Sequence, residues 1–188
     1  MGKMIILGGP SSSGKSTLQT MLLDRFRPLV TVTTRPPRTG EVDGVHYYFI
    51  SVEEYDRCCD IGEMPEQTVY AGTKYGVYRK TLDQVTASEQ HTLAVMDNVG
   101  VDWMKGYFGE DQVIAIHVGI SEETMRQRLI ERGSSVDEIE RRVKQAVNKE
   151  MTDVYKSFFD HHVSNEGKEI NETLQEVLAI LENYISIL

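Results

Sequence analysis

The chain has 188 residues, 40% of them hydrophobic, and a formal net charge of −9. That length fits one domain with small insertions, and that apolar share is ample for a buried core. No run approaches the roughly 18 apolar residues that a membrane helix needs. The acidic balance argues against non-specific binding to nucleic acid or anionic membranes. The two cysteines, Cys58 and Cys59, are adjacent and give neither a disulfide framework nor a metal site.

Met1-Gly2-Lys3-Met4 leads straight into an apolar run, Met4-Ile5-Ile6-Leu7, fit for a buried strand. This leaves no room for a signal peptide and, with the cysteine usage, gives the expectation of a reducing, cytoplasmic location. Thr17 to Leu23 carries apolar residues at helical spacing. Between strand and helix stands Gly9-Pro10-Ser11-Ser12-Ser13-Gly14-Lys15-Ser16, which fits the phosphate-loop pattern G-x-x-x-x-G-K-[ST] in its proper strand–loop–helix context. Glycines let backbone N–H groups turn inward, and the helix start adds partial positive charge. Lys15 is placed to reach β/γ-phosphates, and the Ser16 hydroxyl to ligate Mg²⁺.

Leu29 to Thr34 is rich in β-branched residues and predicts a second strand. Arg35-Pro36-Pro37-Arg38-Thr39-Gly40-Glu41 breaks it and holds two arginines out from the strand end. Asp43-Gly44 is a hairpin-type turn signal, and Tyr47 to Ile50 predicts a strand. In it, one of Tyr47 and Tyr48 faces the ligand side and the other packs. Ser51 with Glu54 has capping-box spacing and opens a short helix through about Asp60, ended by Gly62. Gln67 to Tyr78 holds strand-like Thr68-Val69-Tyr70 and two glycine turns, and Lys80 to Ser88 predicts a helix.

Thr92 to Asp97 and Val113 to Val118 are continuous apolar runs of the kind buried in a parallel sheet, joined through a helix over Val99 to Phe108. Glu122 to Glu131 predicts a helix, and Ser135 with Glu138 opens a long one through about Phe158. His162-Val163-Ser164 reads as a short last strand. Leu174, Val177, Leu178, Leu181, Ile185 and Leu188 line an amphipathic C-terminal helix. Asp160-His161-His162 lacks a companion ligand cluster and reads as core or surface histidines. Alternating strands and helices predict an α/β fold with a mainly parallel sheet.

In open α/β sheets ligands bind beyond the carboxyl ends of the strands, so the phosphate loop and the Arg35, Arg38 and Tyr47 cluster are expected to face one cleft. Arg128, Arg132, Arg141 and Arg142, with Gly133-Ser134-Ser135 between the pairs, have the look of a cationic lid. Three phosphate-seeking clusters point to a triphosphate donor meeting a phosphorylated acceptor.

From about Lys3 to the C-terminus the sequence resembles the guanylate kinases. Thr33 to Tyr47 resembles their T-T-R-x-P-R-x-G-E-x-x-G-x-x-Y signature, Glu63 to Glu66 their E-F-x-E segment and Gly72 to Gly76 their G-x-x-Y-G segment. Arg128 to Gly133 resembles R-L-x-x-R-G, and Val163 to Asn165 resembles V-x-N. The resemblance implies a P-loop three-layer α/β/α architecture: a core (1–32, 91–122 and 150–188), a nucleoside-monophosphate-binding insertion (33–90) and a helical lid (123–149). It implies ATP + GMP giving ADP + GDP with Mg²⁺, in a monomer or homodimer that binds no nucleic acid or membrane. Gly9 through Ser16 with Thr17, Arg128 and Asn165 would hold ATP. Thr31, Arg35, Arg38, Tyr47, Glu66, Tyr75 and Asp97 would hold GMP. Lys15, Arg132 and Arg142 would stabilise the transferring phosphoryl group.

The chain departs from the family at Val77, where a hydroxyl is usual, at Val95, where the first acid of L-D-x-D is usual, and at Gln67 and Val99. These positions cluster on the base pocket. They keep open a related kinase with a different or broader acceptor. A non-catalytic interaction module typically has a degraded phosphate loop, whereas Gly14, Lys15 and Ser16 are intact here.

Overall fold

A computed structural model describes residues 2–70 and 72–185. The chain opens with β1 (Met4–Gly8), α1 (Lys15–Leu22), β2 (Arg27–Pro28), β3 (Thr31–Thr33) and β4 (Tyr47–Phe49). Next come α2 (Val52–Asp60), β5 (Glu66–Tyr70), β6 (Thr73–Val77) and α3 (Arg79–Thr86). Then follow β7 (Thr92–Val95), α4 (Asn98–Phe108), β8 (Val113–Gly119), α5 (Glu122–Glu131) and α6 (Val136–Gln145). The last elements are α7 (Asp153–Lys156), β9 (His161–Ser164) and α8 (Ile170–Glu182). They fall into two compact units. The smaller is formed by residues 27–92 with the chain start, the larger by Lys3–Phe26 and the chain from Leu93 onward.

The larger unit is built on a mainly parallel sheet in which β7, β1, β8 and β9 are successive neighbours. β1 and β8 run parallel with Ile5 opposite Ile114 and Gly8 opposite His117, and β9 runs parallel to β8. All five β1 residues are buried, which explains the unbroken apolar run. Ile5, Leu7, Ile114, Ile116 and Val118 pack on one face against Leu18 and Leu22 of α1 and Val177, Leu178 and Leu181 of α8. His117 points to the opposite face, where the rings of Tyr155 and Phe159 lie against it. The result is an α/β fold with helices on both sheet faces.

α5 and α6 form a helical pair with its own core of Met125, Leu129, Ile139, Val143 and Ala146. Each opens on a serine cap: Ser121 accepts from Thr124 N and Ser135 from Glu138 N. The long helix expected through Phe158 is broken. After α6 the chain widens into a π-helical turn, Ala146–Glu150, and Thr152 caps α7 as a fresh start. The apolar spacing runs on through Ala146, so the register of the side chains gives no sign of the break. The C-terminal helix ends at Glu182, and the expected position Leu188 lies outside the described residues.

The smaller unit has a second sheet, ordered β4-β3-β6-β5. β3 is shorter than expected and belongs to this sheet, and the smaller unit takes up the chain at Arg27. The physical reason is partner choice: Thr31 to Thr33 pair with β4 and β6 of this unit. β3 and β4 are parallel, so Asp43-Gly44 does not join a hairpin; it shapes the crossover, with Gly44 at φ +73° and Asp43 Oδ1 accepting from Phe49 N. The antiparallel β5–β6 hairpin turns at Gly72 (φ +79°). Gly76 is not a turn but sits within β6, where a Cβ would come 2.4 Å from Met64 Sδ. α2 is capped by Ser51 accepting from Glu54 N and is closed by Gly62 at φ +73°. Val32, Tyr55, Cys58 and Met64 form this unit's core.

Candidate active site

In the larger unit, the chain between β1 and α1 wraps into a loop that glycine alone permits at two points. Gly9 has φ +123°, and a Cβ there would lie 2.3 Å from Val118 O. Gly14 has φ +100° as the cap of α1, and a Cβ there would lie 2.6 Å from Asn165 Nδ2. Ser12 takes φ +63°, the only described non-glycine residue with positive φ, and its buried hydroxyl has no hydrogen-bond partner among the described residues. The first N–H groups of α1 have no intrahelical acceptor, so the loop ends on a set of donors suited to an anion.

Lys15 folds back over this loop. Its Nζ donates to Gly9 O at 2.7 Å, Pro10 O at 2.5 Å and Ser13 Oγ at 3.2 Å. Burial of the ammonium lowers its pKa to about 8, with the Glu150 carboxylate opposing and the Arg132 charge adding to the fall. Arg142 donates from Nη1 to Ser11 Oγ at 2.8 Å and pairs with Glu138 at 2.7 Å. Arg128 donates to Ser12 O at 3.1 Å and Asn165 O at 3.0 Å. Asn165, buried, donates to Ser13 O and accepts from Thr173 Oγ1, both at 2.9 Å. Ser16 and Thr17 stand exposed at the first turn of α1, and Arg132 is exposed at the end of α5. The structure thus brings Lys15, Arg128, Arg142 and Asn165 onto one loop, while Arg132 acts on it by charge alone.

Asp97 caps α4 by accepting from Gly100 N at 3.0 Å, and its other oxygen pairs with Lys149 at 3.3 Å. It belongs to the larger unit, whereas the other residues expected around GMP belong to the smaller one. Three participants in this unit escaped the sequence reading. Lys149 and Glu150 end the π-helical turn, with Glu150 buried and its backbone O bonded to His117 Nε2 at 3.2 Å. Glu166 accepts from Ser121 N at 2.7 Å and from the Ser121 and Thr124 hydroxyls, tying the first turn of α5 to the segment after β9. The capping spacing at Ser121 was a readable signal; the partner across 45 residues was not.

In the smaller unit Arg35 lies 5.0 Å from the Tyr47 ring centroid and 5.5 Å from that of Phe49. Tyr47 meets the Tyr75 ring edge-on at 6.2 Å, while Tyr48 turns away to Tyr78. Of the two tyrosines, Tyr47 is therefore the one beside the arginine. Burial raises the Tyr47 pKa, with Tyr75 adding to it. The Arg38 side chain is exposed. Glu66 is 2% exposed and stands opposite Val77 in the β5–β6 register, with Val77 fully buried. Thr31 is buried on β3. Tyr55 donates its hydroxyl to Tyr75 O at 2.6 Å and fixes the strand that carries Tyr75.

Fold and loop together define a P-loop phosphate-binding α/β protein. The sequence profile of the guanylate kinase family matches residues 1–184. The guanylate kinase of Symbiobacterium thermophilum is 39% identical over 149 residues, covering 77% of this chain and 70% of the relative. That of Synechococcus sp. (strain JA-3-3Ab) is 35% identical over 187 residues, covering 96% and 82%. The crystal structure of guanylate kinase from Anaplasma phagocytophilum superposes with a TM-score of 0.76 at 29% identity, covering 98% of this chain and 87% of that one. A shikimate kinase from Acinetobacter baumannii shares the fold at 14% identity and a TM-score of 0.52. The chain belongs to the guanylate kinase family, enzymes of the nucleoside monophosphate kinase class.

Proposed function

We propose that this chain phosphorylates GMP to GDP at the expense of ATP, by direct in-line transfer of the γ-phosphoryl group. The observation that carries the reading is the convergence of Lys15, Arg128 and Arg142 on the Gly9–Ser16 loop. In this reading Gly9 to Ser16 and Thr17 cradle the ATP phosphates. Arg128 and Asn165 hold the loop in shape, and Lys15, Arg132 and Arg142 neutralise charge that develops on the transferred group. Residues 123–149 act as the lid and residues 33–90 as the monophosphate-binding region. There Arg35, Arg38, Tyr47 and Tyr75 take the acceptor phosphate, and Thr31 and Glu66 the base. Asp97 caps α4 and pairs with Lys149.

The residues present fit a Mg²⁺ ion. Ser16 offers an exposed hydroxyl at the first turn of α1 with no hydrogen bond to it among the described residues. Mg²⁺ favours such a single protein oxygen with the substrate phosphates as its other ligands. Held by Ser16, the ion would supply positive charge that offsets the charge of the phosphates.

A broader acceptor range is a second reading, favoured by one feature. Val77 presents a buried aliphatic side chain opposite Glu66. A base that loses one hydroxyl contact in a dry site is held less well by about 1–3 kcal/mol. Initial rates with GMP, dGMP, IMP, AMP and UMP decide. GMP is expected to be the best substrate; a better one among the others overturns strict GMP use. ATP consumption at the same rate without any monophosphate overturns the kinase reading.

A further inference from the structure

Glu41 has no role so far, yet it is the hub of the Arg35 cluster. Its Oε2 lies 2.5 Å from Arg35 Nη1 and its Oε1 2.6 Å from Arg35 Nη2, a two-point pair across the end of the guanidinium. Oε2 also accepts the backbone N–H of Arg38 at 2.7 Å. The pair is largely enclosed, with side-chain exposures of 13% for Arg35 and 17% for Glu41. Arg35 Nη1 gives a further bond to Pro36 O at 3.0 Å, so both of its hydrogens are used.

A guanidinium has five N–H donors in a fixed plane. Glu41 and Pro36 take three of them. The two that remain, Nε–H and the second Nη2–H, lie along one edge and form a parallel pair suited to two phosphate oxygens. The Tyr47 ring lies beside the same guanidinium, its centroid 5.0 Å from Arg35 Cζ. We propose that Glu41 is a positioning residue of the acceptor subsite, holding the end of Arg35 so that its Nε edge faces a phosphate monoester and tethering Arg38 to the same site. Glu41 touches no reacting atom. It removes the rotamer freedom of a long side chain before the acceptor arrives, and binding then orders less.

This inference rests on the proposed use of GMP. The test is initial-rate kinetics on the full chain, varying GMP at saturating ATP and the reverse, for the unaltered protein and for Glu41→Gln, Glu41→Asp, Arg35→Ala and Arg35→Ala/Glu41→Gln. Glu41→Gln is expected to raise the KM for GMP about tenfold or more, the scale of one charge-assisted hydrogen bond. The KM for ATP is expected to stay within about twofold, because the ATP loop belongs to the other unit. Glu41→Asp keeps the charge and is expected to recover part of the loss. In the Arg35→Ala background Glu41→Gln is expected to add less than about twofold, because its effect runs through Arg35. An unchanged or lower KM for GMP in Glu41→Gln, an equal rise in the KM for ATP, or full additivity with Arg35→Ala overturns the positioning role. Absence of GMP turnover by the unaltered chain overturns the substrate reading instead, so the two failures are separate.

Discussion

Acid should weaken the larger unit through one buried histidine. His117 is 3% exposed on β8, with the rings of Phe159 at 5.5 Å, His162 at 5.7 Å and Tyr155 at 6.0 Å. Its Nε2 bonds to the backbone O of Glu150, so Nε2 carries the hydrogen. Burial lowers its pKa from 6.5 to about 4; the bond to Glu150 opposes this, and the charges of His162, Lys156 and Lys15 add to it. The folded chain therefore binds fewer protons here than the unfolded chain between those two values. Stability from this group is fully present above pH 6.5 and is lost as pH falls through about 4. The full loss is about 3 kcal/mol, and about 1 kcal/mol of it is already gone at about pH 5.5. Urea unfolding of the unaltered protein and of His117→Gln at about pH 7 and about pH 5.5 isolates the effect, since glutamine keeps a donor for Glu150 O without titrating. The stability gap between the two proteins should shift by about 1 kcal/mol in favour of His117→Gln at the lower pH. Parallel pH curves, within about 0.5 kcal/mol, would refute the assignment.

Two substitutions at the phosphate loop should separate chemistry from architecture. Lys15→Ala removes the cation that bonds to Gly9 O, Pro10 O and Ser13 Oγ. It should lower kcat at least about 100-fold while GMP affinity, measured by calorimetry, stays nearly unchanged; unchanged turnover would remove Lys15 from the catalytic set. Asn165→Ala deletes two buried bonds and strands Ser13 O and the Thr173 hydroxyl. It should cost about 2–4 kcal/mol of stability, read as a fall in Tm at about 2–4 °C per kcal/mol. A loss below about 1 kcal/mol would show that this asparagine does not brace the loop.

What was legible in the sequence had short range. The Gly9–Ser16 loop is readable because its geometry is set within eight residues: two of its three positive φ angles fall on Gly9 and Gly14, with the third on Ser12, and Lys15 bonds no farther than six positions away. The capping boxes at Ser51 and Ser135 are local for the same reason. β6 was missed because Thr73-Lys74-Tyr75-Gly76-Val77 carries no clean alternation, and Gly76 looks like a turn until Met64 Sδ is found where its Cβ would be. The π-helical turn was missed because hydrophobic spacing reports which face is buried, not whether one residue too many has been wound into the turn.

That widened turn shows how a local irregularity becomes a functional one. Regular α-helix through Phe158 would need every side chain after Gln145 to hold one register. The turn instead directs Lys149 toward Asp97 at 3.3 Å and buries Glu150, whose backbone His117 holds from the sheet. The Glu150 charge in turn offsets part of the burial that lowers the Lys15 pKa to about 8. The phosphate-loop lysine is therefore tuned by a carboxylate 135 positions away, presented by a segment whose sequence reads as plain helix. In the acceptor unit Glu41 stands in the same relation to Arg35, six residues away and invisible to any periodicity, because a loop rather than a helix brings them together. In both units the cation that should meet phosphate was readable from the sequence. The carboxylate that sets its charge or its direction was not, because its position depends on where the backbone departs from regular structure.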